Sequence, residues 1–207
     1  MKYALLLVLF IAAGCSSSRM IDSYKPTLNE TPELKKILVI GITSNHEARK
    51  SFEDKLQQAF KKKNIMAVQS YEFFDPLFTI YQKSEWELEQ LKLILKENNY
   101  DAVLISKINR VENRITAKHA YKNFNREFHS FKDDYLSNQD IFYGDNSEQS
   151  YKVFHTETGL YHLTTKGNGE LVWRGAINLH NPKNLQSTVH SYVKLLLSQL
   201  KKEDLIP

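Results

Sequence analysis

The order of periodicities that begins at Lys35 constrains the fold of this chain most. "KKILVIGI" is a short, continuous apolar run rich in β-branched residues, the pattern of a strand buried on both faces. Ser44 and Glu47 stand at capping-box spacing, and Ala48, Phe52, Leu56, Ala59 and Phe60 then recur at helical intervals. This predicts a helix ending near Asn64. "IMAVQSYEFF" reads as a second strand, Ser84 with Glu87 as a capping box opening a helix through Leu88, Leu91, Ile94 and Leu95, and "YDAVLISKI" as a third strand. Strand, helix, strand, helix, strand in that order implies right-handed crossovers and a largely parallel core.

The second half changes character. "YKVFHTETGLYHLTT" and "ELVWRGAINLH" are long strand patterns separated by "KGNG", whose Gly167, Asn168 and Gly169 favour a chain reversal, so an antiparallel hairpin is expected. A last helix from about Asn184 carries Leu185, Val189, Tyr192, Val193, Leu196 and Leu200 in one apolar stripe suited to packing on a sheet. The expected fold class is α/β to α+β. It has a β-α-β-α-β core, an antiparallel hairpin and a C-terminal helix, with the helices packed on a single sheet in one domain spanning 35–207.

The first residues belong to targeting rather than folding. Lys2 precedes an apolar stretch from Tyr3 to about Ala13 that closes on Ala12, Ala13 and Gly14, the layout of a secretory signal peptide over 1–14. The stretch is shorter than the roughly 20 residues needed to cross a bilayer. The chain's single cysteine, Cys15, follows directly, and Ala12-Ala13-Gly14-Cys15 resembles the bacterial lipobox. That resemblance implies cleavage before Cys15 and attachment of palmitate-type lipid to its sulfur and amino group. Ala12 departs from the pattern, where Leu is more usual, and the plainer alternatives are a soluble secreted protein cut near Ala13 or a buried free cysteine.

One thiol supplies no intramolecular disulfide, so the fold must hold by packing, which a domain of this size can do. Loss of 1–14 removes Lys2 and leaves 27 Lys and Arg against 24 Asp and Glu, too small an excess to indicate nucleic acid. Residues 15–34 are expected to form the lipidated N-terminus and a polar, flexible tether containing Pro26 and Pro32. No aspartate follows Cys15 and "SSSR" is not acidic, so by resemblance to lipoprotein sorting the expected address is the outer membrane, facing the periplasm.

Together "KKILVIGIT", "ARKSFEDKLQQAF", "AVQSYEFF", "YDAVLISKI" and "GELVWRG" before a terminal helix resemble a family of small bacterial lipoproteins. The order is similar to αβ domains of the TolB amino-terminal type and of lipoproteins that activate penicillin-binding proteins or assemble secretion pores. The resemblance covers 35–112 and 150–203 and implies structural rather than catalytic shared positions. Arg49 and Glu53, which match its "R…FE" pattern one helical turn apart, are expected to orient the helix.

Residues 113–149 do not match, and a structureless insert of that length is unusual inside a compact domain. Within it Tyr121, Phe124, Phe128, Phe131 and Tyr135 fall at spacings of 3, 4, 3 and 4, an aromatic stripe on one side of a helix. It would either cap the sheet within the molecule or dock a partner protein or the headgroup layer. The mixed charge of Lys122, Arg126, Glu127, Lys132 and Asp133 favours a protein partner over anionic lipid.

No nucleophile elbow, zinc-binding helix or phosphate-binding glycine loop is present in the sequence, so no catalytic residue, metal ligand or cofactor is assigned. His155 and Glu157 share one side of a predicted strand, the beginning of a metal site at most, with His162 on the other face. Gly41, Ser44 and Asn45 precede a helix and suit capping better than anion binding. Asp101 is placed to satisfy backbone groups at a strand start, Trp173 to anchor packing with Arg174 on the opposite face, and Lys61, Lys62 and Lys63 to complement a helix dipole. The expected role is a membrane-anchored periplasmic binding or assembly module. The alternative is a small envelope enzyme acting on a cell-wall or lipid component.

Overall fold

A computed structural model describes residues 18–28, 31–74, 78, 81–112, 153–163, 169–180 and 184–207. The strands are β1 (Ser18–Tyr24), β2 (Lys36–Ile42), β3 (Met66–Gln69), β4 (Ala102–Glu112), β5 (Val153–His162) and β6 (Glu170–His180). The helices are α1 (His46–Lys61), α2 (Ser70–Phe73), α3 (Glu85–Glu97) and α4 (Leu185–Lys202). All six strands form one sheet in the order β1-β6-β5-β4-β2-β3. β2 pairs in parallel with both β3 and β4, and the remaining neighbours are antiparallel. The expected fold class is the observed one.

The alternation of β2 explains its double burial. Ile37 and Val39 face one core with Phe52, Leu56 and Phe60 of α1 and Val193, Leu196 and Leu200 of α4. Leu38, Ile40 and Ile42 face a second core with Leu88, Leu91 and Leu95 of α3. A strand with helices on both faces has no position left for a polar side chain over that stretch. Along β6 a bulge lets Leu160 pair with Trp173 and Tyr161 with Leu171, so the consecutive Val172 and Trp173 both join the first core.

Residues 18–24, expected within the tether, instead form an edge strand antiparallel to β6. The alternation was hard to see because a register shift between Met20 and Asp22 leaves Ile21 exposed, while Met20 packs against the first core and Tyr24 against the second. The backbone groups of β6 on that side gain partners, a gain invisible in the local sequence. Further along the expected tether, Leu28 packs against the first core, Leu34 is buried, and Lys25 Nζ donates to the Glu203 carbonyl.

Two other expectations need correction. The second strand stops at Gln69 and the chain turns into α2, because Ser70 is drawn into a buried network with α1 and the aromatic residues Phe73 and Phe74 pack on the second core. The cap of α1 is Asn45 rather than Ser44, its side-chain oxygen accepting from Ala48 N at 2.9 Å. The capping box of Ser84 and Glu87 on α3 is present as expected, and Asn184 caps α4 through Ser187 N.

Candidate functional site

Beyond the reach of α3, the second face of the sheet turns polar. Lys107 on β4, Glu157 on β5 and Arg174 on β6 point to the same side, and all three are buried. Lys107 Nζ lies 3.5 Å and Arg174 Nε 3.3 Å from Glu157 Oε1, while Asn109 Nδ2 donates to Oε2 at 2.9 Å. Arg174 also donates from Nη2 to the Tyr161 hydroxyl at 2.9 Å. One carboxylate therefore sits between two cations and an amide drawn from neighbouring strands. Removing three charges from water is costly, and mutual attraction offsets that cost only while every member stays in place. The cluster thus ties together the registry of three strands.

His155 and Glu157 do share a side, as the sequence indicated. His155 Nδ1 is paired with Asn178 Oδ1 at 2.7 Å, and Glu157 is flanked by Lys107 and Arg174. Two cations beside the carboxylate oppose binding of a divalent ion there. His162 pairs with Ala102, whose side chain belongs to the first core, and so lies on the other face. Among the described residues no group of three or more His, Cys, Asp or Glu is placed to hold a metal.

A second buried network joins α1 to the end of β2. Glu53 Oε1 accepts from Gly41 N at 2.9 Å, from Arg49 Nε at 3.1 Å and from Ser70 Oγ at 2.7 Å. Arg49 in turn donates to Ser70 Oγ at 2.8 Å. Arg49 and Glu53 orient the helix, as expected from their spacing. A third network ties α4 to the sheet: the Tyr192 hydroxyl lies 2.6 Å from both Ser106 Oγ and Thr158 Oγ1. Burial pushes the Tyr192 phenol above its usual value, against hydrogen bonds from Ser106, Thr156 and Thr158 that pull it down. Asp101 accepts from the backbone of Lys36 at 2.9 Å, its expected part at a strand start.

The surface feature of interest is on α3. Its inner side is the Leu88, Leu91 and Leu95 stripe, yet Trp86 is 69% exposed, Leu93 49% and Ile94 44%. Trp86 and Leu93 are seven residues apart and therefore lie on the same side of the helix, two turns from each other. An amphipathic helix needs only one apolar side to join a core. The outer side of α3 carries apolar surface that the described fold does not use.

Cys15 and the aromatic residues Tyr121, Phe124, Phe128, Phe131 and Tyr135 lie outside the described residues. Sequence reasoning missed the Lys107, Glu157 and Arg174 cluster, although each is a charged residue inside an apolar strand pattern, and that placement was the available signal. It also missed Trp86, hidden by the stronger stripe on the other side of its helix. No helix among the described residues is long and apolar enough to cross a membrane.

No family model matches the chain, and no curated protein matches it. Among solved structures, the PelC dodecamer from Paraburkholderia phytofirmans is similar at 15% identity, covering 88% of this chain and 95% of that one with a TM-score of 0.42. Lipoprotein GNA1162 from Neisseria meningitidis is similar at 10% identity, covering 81% of this chain and 99% of that one with a TM-score of 0.41. Superpositions this loose carry no weight for function, and the TolB-type resemblance is not supported by a family match.

Proposed function

We propose that the chain is a lipid-anchored binding or assembly module of the bacterial cell envelope, held through Cys15 in the outer membrane and facing the periplasm, that recruits a protein partner. The observation that carries the binding role is Trp86 on the outer side of α3, exposed on the same helix as Leu93 and Ile94 two turns further on. Tryptophan is enriched at protein contact surfaces and among the residues that carry most of their binding energy. The aromatic stripe of Tyr121, Phe124, Phe128, Phe131 and Tyr135 would add to it. The buried charges are engaged within the fold, Arg49 with Glu53 along α1 and Lys107 and Arg174 with Glu157 across β4, β5 and β6.

A photo-crosslinking side chain in place of Gln90, one helical turn from Trp86 on the same side of α3, introduced in intact cells and followed by mass spectrometry, tests the reading with Trp86 kept in place. A defined envelope protein should be captured from position 90 and not from the exposed Lys202 at the far end of α4. Equal capture from both positions, or none from position 90, would overturn it.

A further inference from the structure

We propose that one end of the sheet, made by the start of β1, the ends of β4 and β6 and the start of α4, faces the lipid headgroup layer, held there by the shortness of the chain after Cys15. This rests on the lipidation of Cys15 proposed above and extends it from an address to an orientation. The sequence suggested a long tether, which would let the body tumble. The structure removes most of that tether.

The folded body begins at Ser18. That residue pairs with Leu179 of β6, is itself buried, and accepts a hydrogen bond at 2.9 Å from Ser191 Oγ of α4. Only Ser16 and Ser17 separate it from Cys15. Three residue steps reach at most about 11 Å even when fully extended. An acylated sulfur in the headgroup region would therefore hold Ser18 within that distance of the bilayer.

The strand register says which surface comes with it. Leu179 is next to His180, His180 pairs with Val153, and Val153 pairs with Glu112. Four strand ends thus lie side by side, about 15 Å across at the usual strand spacing. Exposed Arg19 and Val111, the latter 46% exposed, belong to this end. Residues 113–152 join the body here too, through Glu112 and Val153.

The opposite end is the basic one. There α1 finishes at Lys61 with Lys62 and Lys63 following, α4 finishes at Lys201 and Lys202, and Lys63 Nζ donates to the Pro207 carbonyl. An eleven-residue strand such as β4 spans roughly 35 Å, so these lysines stand far from the anchored end. A body on a long tether would turn them toward anionic lipid. The short connection prevents that.

The test uses the full lipidated chain in vesicles of phosphatidylethanolamine and phosphatidylglycerol containing a headgroup-labelled quencher lipid. Fluorophores are placed at Val111→Cys, at Arg19→Cys as a second reporter of the same end, and at Lys202→Cys, the Cys15 sulfur being occupied by lipid. Quenching should be several-fold stronger at positions 111 and 19 than at 202. A Gly/Ser spacer of about 15 residues inserted between Ser17 and Ser18, long enough to let the body turn, should abolish that difference while the protein still floats with the vesicles. Equal or reversed quenching in a chain that floats would overturn the orientation and leave the anchor standing. A chain that does not float, or that retains residues 1–14, would overturn the anchor and the orientation with it.

Discussion

The ring of Trp173 lies across the α-carbon of Gly175, its neighbour two residues along the same face of β6. A β-carbon at Gly175 would stand 2.1 Å from Trp173 Cη2. On the opposite face Tyr161 covers Gly159 in the same way, and a β-carbon there would stand 2.6 Å from Tyr161 Cε2. Each glycine makes room for an aromatic ring to lie flat on the sheet rather than stand away from it.

Gly175→Ala should therefore destabilise the protein by about 1–3 kcal/mol through overpacking, since the buried indole has no space to withdraw. Denaturant unfolding followed by tryptophan fluorescence measures the loss. Unchanged stability would show that the indole can move aside.

Arg49→Met leaves the Glu53 carboxylate buried without its cation. The expected cost is about 3–5 kcal/mol. Adding Glu53→Leu to the same chain should restore part of the loss but not all, because Gly41 N then lacks its acceptor. Denaturation midpoints of the two single variants and the double variant form the cycle that checks this.

Tyr192 makes stability sensitive to alkali. Its phenol is raised above the ordinary 10.0 in the folded state by burial. Unfolded chains release that proton from about pH 10 while folded ones keep it, so the folded state binds more protons and stability must fall as pH rises through that window. Below it the contribution is complete. Tyr192→Phe should show a shallower alkaline decline than the wild type, at a cost near neutral pH of about 1 kcal/mol for the lost hydrogen bonds. Thermal unfolding between neutral and alkaline pH compares the two slopes.

Trp86→Ala should change stability by less than about 0.5 kcal/mol, as an exposed position does. The same substitution should weaken capture of the envelope partner. A fall in stability of several kcal/mol would instead make Trp86 part of the core.

Elements with a local cause were legible beforehand. The Ser84 and Glu87 box opens α3, Asn184 opens α4, and the unbroken apolar run of β2 announced a strand covered on both sides, because caps and hydrophobic periods act within a few residues of chain. The opposite facing of Trp173 and Arg174 also followed from strand alternation alone. Where the chemistry of the charged residues would converge did not follow, since Lys107, Glu157 and Arg174 come from three strands and meet only through their register.

By itself, then, the sequence determined the type and order of the central elements and the pattern of their buried faces, because those depend on side-chain spacing along one segment. Only the tertiary structure decided that residues 18–24 become an edge strand, that the chain after Gln69 turns into a helix, and that Glu157 is held between two cations. Each of those outcomes depends on the backbone or charge supplied by a distant segment, and no local period encodes such a partner.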